Sequence, residues 1–418
     1  MNVSEFYKAL LENTHSSNLT IACHILFAEL ANNKNNDDLG HQKTIDMNGT
    51  TRNFQSANSK KRQMRLELFP KTITSSRFSS LIAIYLSEMV ANGELDEADV
   101  AALQDKFELA LCKSPAKKDE KKEDKGNQAC TYDRITFLAI LDAMKTEVLQ
   151  NGVPTDNRLL EIAKAVYKSS PMDPCVALFG VMSTHDVVTT VDGAAKMSGA
   201  IGINRYAGDT NYWTHAGYRG TPDVTVPEFM KKWQIQEASV PGAENLGYMD
   251  MTADVMYQYS SVDIRTFVEN MRMHDEYLSE TLDVAPLAGY IIPRYFQSFM
   301  TQTSATKQHS FASIPAASIA YFELIEDGQP VTMNFEKPIK HDIKNDKSVM
   351  EQGIEKIALH ARDEALRYAG KITKYVVLSA LYEHMEPLFE AAGVTVLHSG
   401  EELRKVLADA VEAAAAQL

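Results

Sequence analysis

Four short apolar runs that read as buried strands lie far apart in this chain, and a long stretch of helical pattern separates the first from the second. The runs are Asn18–Leu30 (NLTIACHILFAEL), Cys175–Gly180 (CVALFG), Thr252–Tyr259 (TADVMYQY) and Ala316–Ile325. The first is partly β-branched, and the third alternates so that Ala253, Val255, Tyr257 and Tyr259 share one face. Between the first two runs the spacing predicts helices over 76–91, 97–111, 132–150 and 156–168. In the earliest of these Leu81, Ile82, Tyr85, Leu86 and Met89 point inward, and Asn92-Gly93 is the stop. Strands interrupted by a block of helices specify an α+β design with the helices grouped to one side. Further helices are expected over the first fifteen residues, over 263–278, around 290–303 and over 347–368, and a short β-α-β-α pattern follows.

The most distinctive charged stretch lies at 52–65. It carries Arg52, Lys60, Lys61, Arg62 and Arg65 without one acidic residue, in a chain of formal net charge −14. Ser56 or Asn58 is placed to cap a helix running through Leu68, with Lys61 and Arg65 four apart and Arg62 and Arg65 three apart on neighbouring positions. Free N–H groups at a capped helix start attract anions, and a polyphosphate backbone fits such a surface. The same residues also fit a plain solvated helix face. The acidic total argues against wholesale coating of nucleic acid but leaves room for a local cationic track.

Length and composition, 418 residues of which 44% are apolar, allow a large core and two or three units. The cysteines, Cys23, Cys112, Cys130 and Cys175, have no zinc spacing, and with no signal peptide or long apolar span they read as reduced thiols in a cytoplasmic, membrane-free protein. Lys113–Lys125 holds nearly balanced charges and reads as a solvated loop. The segment 205–222, with Arg205, Tyr212, Trp213, Tyr218 and Arg219, has the composition of a single-strand stacking platform and equally that of a subunit contact. His185-Asp186 has no accompanying ligand set for a metal phosphohydrolase, and Asp37-Asp38 reads as a polar turn. No phosphate-binding glycine loop, nucleophile elbow or dinucleotide fingerprint is present, so no catalytic residue, metal ligand or cofactor is expected.

Several stretches in register resemble one family, the CasC backbone subunit of type I-E CRISPR surveillance complexes (Cascade). The loop Asn35-Asn36-Asp37-Asp38-Leu39-Gly40-His41-Gln42-Lys43 matches the family's N-x-D-D-x-x-x-Q-K core. Arg52, Ser56, Ser59, Lys61, Arg62, Met64 and Arg65 match its basic segment, and Gly180, Met182, Val191, Asp192, Gly193, Ala194 and Ala200 its central stretch. Ala305, Lys307, Gln308, Ser310, Phe311 and Ala312 match its later A-x-K-Q loop. Val181 departs, standing where the family commonly has arginine, and the agreement runs from about residue 18 to 325.

The resemblance implies a hand-like subunit of the RAMP superfamily. Its palm is a modified RRM/ferredoxin-like sheet, with a helical finger insertion and a thumb projection. Here that gives palm at 1–69, 173–203 and 251–346, fingers at 70–172, thumb at 204–250 and a further C-terminal region at 347–418. Copies would line up along crRNA, bind the other Cascade subunits, and present the guide to target DNA. The RNA-binding residues it implies are Lys43, Arg52, Ser59, Lys60, Lys61, Arg62, Arg65, Lys307, Gln308 and His309, with Met182 as an apolar wedge beside a base. Base reading is then delegated to complementarity. The alternative is a type III-like backbone subunit that cuts target RNA with a metal and a loop aspartate, Asp37 or Asp38.

Overall fold

The computed structural model describes Ser4 and residues 18–74, 78–111, 131–183, 185–216, 243–278, 280–326, 328–364 and 371–418. Its strands in chain order are β1 (Leu19–Ala28), β2 (Thr44–Met47), β3 (Thr50–Gln55), β4 (Thr72–Thr74), β5 (Thr131–Asp133), β6 (Ala195–Met197), β7 (Ala200–Gly202), β8 (Asp209–Ala216), β9 (Ala243–Met251), β10 (Val255–Asp263), β11 (Ile319–Glu326), β12 (Lys371–Leu378) and β13 (Thr395–Leu397). The helices are α1 (Ala57–Leu68), α2 (Phe78–Ala91), α3 (Val100–Leu111), α4 (Arg134–Asn151), α5 (Asp156–Lys168), α6 (Pro174–Phe179), α7 (Ile264–Met271), α8 (Val284–Thr301), α9 (Gln308–Phe311), α10 (Val349–Leu359), α11 (Glu386–Ala391) and α12 (Gly400–Ala415).

The apolar run of β1 is the middle of one mixed sheet, ordered β13-β12-β11-β1-β10-β7-β3-β2, with β6 also paired to β10. β1 is antiparallel to both neighbours, from Thr20↔Asp263 to Ala28↔Val255 and from Leu19↔Glu326 to Leu26↔Ile319. A central strand covered on both faces needs apolar residues at successive positions, which is why β1 shows no clean alternation. On one face Ile21, Cys23, Ile25 and Phe27 pack with Met64 of α1 and with α6, α7, α8 and α12. On the other, Ala22 and Leu26 pack with Tyr257, Tyr321, Phe335 and the residues of α10 and α11.

The helical block α2–α5 has a separate core, in which Ile82, Leu86 and Met89 are buried and Leu81 and Tyr85 pack partly against them. The pair β4–β5 joins that block, and β8–β9 forms a second two-stranded sheet. The C-terminal β-α-β-α pattern extends the main sheet: β12 pairs antiparallel with β11, and β13 parallel with β12. α12 then folds back onto α8, where the missing side chain at Gly289 lets Glu412 and Ala408 approach.

One expected strand is a helix. Cys175–Gly180 reads as a β-run in sequence, but Asp173 caps Pro174–Phe179 by accepting from the Cys175 N–H, and Gly180 ends the helix at φ 74°. An apolar run of this length fits a buried helix as well as a buried strand, and Cys175 to Phe179 of α6 are all buried. The place beside β10 goes to β6 and β7 instead. The 347–368 helix stops at Leu359 and passes into a π turn over 360–364, and the 290–303 helix begins earlier, at Val284. The expected N-terminal helix, the charged loop 113–125, Cys112, Cys130, the side chain of Trp213, Tyr218 and Arg219 lie outside the described residues.

Candidate nucleic-acid interface

The basic stretch forms α1 as the sequence predicts, with Ser56 as its cap: the Ser56 side chain accepts from the Asn58 N–H. A buried network holds this helix start. Glu29 accepts from Lys34 Nζ at 2.8 Å, from Gln55 Nε2 at 2.8 and 3.0 Å and from Asn32 Nδ2 at 3.1 Å. Asn35 Oδ1 accepts the Ser56 N–H at 3.1 Å. The polar loop after β1 is thereby wired to the helix cap, and Ser304 Oγ ties the 302–313 segment to it by donating to the Lys34 carbonyl.

The five cations of the stretch have different fates. Arg52 is fully buried, and its two terminal nitrogens donate to the carbonyls of Gly202, Ile203, Phe335 and Glu336 at 3.0–3.2 Å. It staples β3 to neighbouring backbone and presents nothing to a phosphate, which corrects the sequence expectation. Lys60 is also buried: its Nζ donates to Gln258 Oε1 at 2.9 Å and lies 4.4 Å from the Phe299 ring centroid. Burial pushes its pKa down from 10.5 to about 7, so Lys60 too is withdrawn from the surface. Phase explains both cases: Arg52 sits on an inward position of β3, and Lys60 lies one turn before the buried Met64.

Lys61, Arg62 and Arg65 remain. Arg62 is exposed, Lys61 and Arg65 half-exposed, and Arg65 stacks 4.9 Å above the Phe179 ring at the end of α6. Partial burial, and then the charge of Arg65, lower the pKa of Lys61; an anion between them relieves that repulsion. None of the three forms an ion pair with a described residue. Ser59 and Lys60 line a shallow polar cleft with Gln302, Thr303 and Ser304.

The turn that follows this cleft presents Lys307 and His309 exposed, Lys307 at φ 57°. Gln308 does not reach outward: its Nε2 clasps the loop by donating to the carbonyls of Ser304 and Ser313. Lys43 is exposed between Gln42 and β2. Met182 is 81% exposed, on a loop whose base is a close backbone crossing. A Cβ at Gly180 would stand 2.6 Å from Gly193 N, and one at Gly193 would stand 2.4 Å from the Phe179 carbonyl carbon. Since α6 also carries the ring under Arg65, Met182 and the basic helix flank the same element. On β8–β9 the exposed Tyr212 stands directly across from the exposed Tyr248.

The other candidates have structural duties. Asp37 Oδ1 accepts the N–H groups of Leu39 and His41, closing a turn. His185 is buried against the helical block, with Nε2 3.2 Å from the Leu109 carbonyl, and Asp186 lies 3.5 Å from Lys164. Sequence reasoning missed Gln258 of β10, Phe299 of α8 and Glu29 just after β1, which hold Lys60 and the helix start in place and carry no local signal. Among the described residues one group has metal-ligand chemistry: His24, Glu323 and His360, on the opposite face of the sheet from α1. No described helix is long and apolar enough to cross a membrane.

No curated protein matches the chain. Solved chains share its fold, two of them from RNA-guided complexes. One, from a "CRISPR RNA-guided surveillance complex, pre-nicking", has TM-score 0.68 and 18% identity over 94% of this chain and 100% of its own. The other, from a "CRISPR RNA-guided surveillance complex", has TM-score 0.61 and 17% identity over 94% and 99%. Residues 21–396, nearly the whole sheet with its helical block, match the family described as CT1975-like protein, and the chain belongs to that family.

Proposed function

We propose that this chain is a CasC-type backbone subunit of a type I-E Cascade, which binds crRNA through its cationic face and presents the bases to target DNA. The observation that carries the reading is the trio Lys61, Arg62 and Arg65: cations without an ion-pair partner among the described residues, on a capped helix, in a chain of net charge −14. Family membership and the surveillance complexes that share the fold support it. In this reading β11, β1, β10 and β7 with β3 form an RRM-like palm, 70–172 the fingers and 204–250 the thumb. Lys43, Lys307, His309 and Ser59 join the trio along the phosphates, and Met182 wedges against a base. Further copies continue head to tail along the guide, as heterologous contacts that do not close must, and other Cascade subunits cap the array. In this reading the protein binds and does not cleave, and Asp37 serves its turn, its Oδ1 accepting the N–H groups of Leu39 and His41.

The test is RNA retention. Lys61→Glu with Arg62→Glu removes no ion pair with a described residue, and the variant is expected to fold, which its far-UV circular dichroism checks. RNA copurifying with the assembled complex is expected to fall at least tenfold, and the salt dependence of binding to shrink by about 0.7 in log–log slope for each lost phosphate contact. Equal RNA content in the two complexes overturns the reading. Complementary RNA incubated with the complex and Mg²⁺ should stay intact; cleavage lost in Asp37→Ala or Asp38→Ala would establish the nuclease instead.

A further inference from the structure

On the face of the sheet away from α1, three side chains from distant parts of the chain converge in the core. His24 comes from β1, Glu323 from β11, and His360 from the turn that ends α10. Their exposures are 0, 1 and 4%. His24 Nε2 lies 3.9 Å from Glu323 Oε2, and His360 Nε2 lies 3.3 Å from Glu323 Oε1. The three ligand atoms fall within 4.8 Å of one another, and the imidazole centroids are 5.1 Å apart. We propose that His24, Glu323 and His360 form a structural binding site for a divalent transition-metal ion, zinc by ligand chemistry, which fastens the 347–364 segment to the central sheet.

The geometry is close to what such an ion requires. Bonds of about 2.0–2.1 Å to two imidazoles and a carboxylate put the ligand atoms of a tetrahedral site about 3.3 Å apart. The His360–Glu323 edge already has that length at 3.3 Å, and the His24–Glu323 edge, at 3.9 Å, closes by a small rotation of either side chain. Two imidazoles with one carboxylate is a borderline nitrogen and oxygen set that suits zinc better than calcium or magnesium.

The surroundings fit as well. His24 Nδ1 lies 2.9 Å from the Tyr257 hydroxyl, the kind of oxygen partner that fixes the tautomer of a ligating histidine and leaves Nε2 for the metal. His24 Nε2, Glu323 Oε1 and the fully buried Tyr321 hydroxyl have no hydrogen-bond partner among the described residues. Three protein ligands leave a fourth position for water, and the Tyr321 hydroxyl, on the same strand face as Glu323, is a ready partner for it. Lys374, paired across the strands with Glu323, does not supply the missing charge at hydrogen-bond distance: its Nζ donates to the carbonyls of Ala361 and Ala392. A carboxylate sealed in a core needs a compensating cation, and the groups at ligand distance from this one are the two imidazoles.

The full chain, purified without a polyhistidine tag, decides the matter. Elemental analysis is expected to find one zinc per chain. Chelator-treated protein should melt at a lower temperature and regain its melting point with one equivalent of Zn²⁺. With Co²⁺ it should develop the visible absorption of a tetrahedral site. His360→Gln, which keeps the side-chain volume nearly constant, should bind Zn²⁺ on the order of tenfold to a hundredfold more weakly, while Lys61→Glu with Arg62→Glu binds it normally. Protein that holds no metal, gains no thermal stability from Zn²⁺ and gives no cobalt spectrum overturns the proposal. So does a folded His360→Gln that binds Zn²⁺ like the wild type. The wild-type measurements remain decisive if the variant fails to fold, and none of them depends on RNA binding.

Discussion

Five positive residues that look equivalent between 52 and 65 divide, in the fold, into two that hold the interior and three that face out. Arg52 is spent on four backbone carbonyls, and Lys60 on Gln258 and the Phe299 ring. The cost of burying Lys60 gives a pH prediction. Its folded pKa, about 7, lies below the ordinary 10.5, so between these values the unfolded chain binds the extra proton. Stability from this group is therefore complete above pH 10.5 and is lost as pH falls toward 7. Lys60→Met removes the titration. In thermal melts the variant should gain most over wild type at pH 6, and the gain should shrink steadily toward pH 9. A gain independent of pH would mean that Lys60 carries its charge in the fold without penalty.

At the scale of elements, the short helix α6 organises the candidate interface more than its length implies. It ends at Gly180, crosses Gly193 with no room for a Cβ, supports Arg65 on Phe179 and launches the loop that bears Met182. Gly193→Ala places a Cβ 2.4 Å from a backbone carbon that has no side-chain freedom to move away. Urea unfolding should show a loss of about 1–3 kcal/mol. Met182→Ala removes only an exposed side chain and should change stability by no more than about 0.5 kcal/mol. On the RNA-wedge reading it should nevertheless lower the fluorescence of a 2-aminopurine guide that reports unstacked bases. Equal stability of the two variants would deny that the crossing is tight.

For the whole molecule, the proposed reading of an acidic body that binds RNA through Lys61, Arg62 and Arg65 predicts assembly governed by RNA length. In sedimentation, single-stranded RNA should gather copies in discrete steps whose number rises with the length of the strand, and added salt should disperse them. One copy per strand at every length would refute a head-to-tail array. Much of this architecture was legible beforehand. The strands at 19–28, 255–263 and 319–326, the helical block, the Ser56 cap and helix 57–68 follow from apolar period and capping chemistry, which act within a few residues. The strand misread at 175–180 shows the limit, because six apolar residues satisfy a buried helix and a buried strand alike. The sites Glu29–Lys34–Gln55 and His24–Glu323–His360 were invisible for a different reason: β3 brings Gln55 to the loop after β1, the register of β1 with β11 brings Glu323 beside His24, and the turn after α10 adds His360.

The sequence by itself determined where the basic helix starts, which runs are apolar enough to be interior, and that positive charge is concentrated in one short segment of an acidic chain. Only the tertiary structure decided which of those cations reach solvent and which polar groups meet in the core. Local preference is set by neighbours along the chain, whereas exposure and charge pairing are set by strand register and helix packing, which join residues hundreds of positions apart.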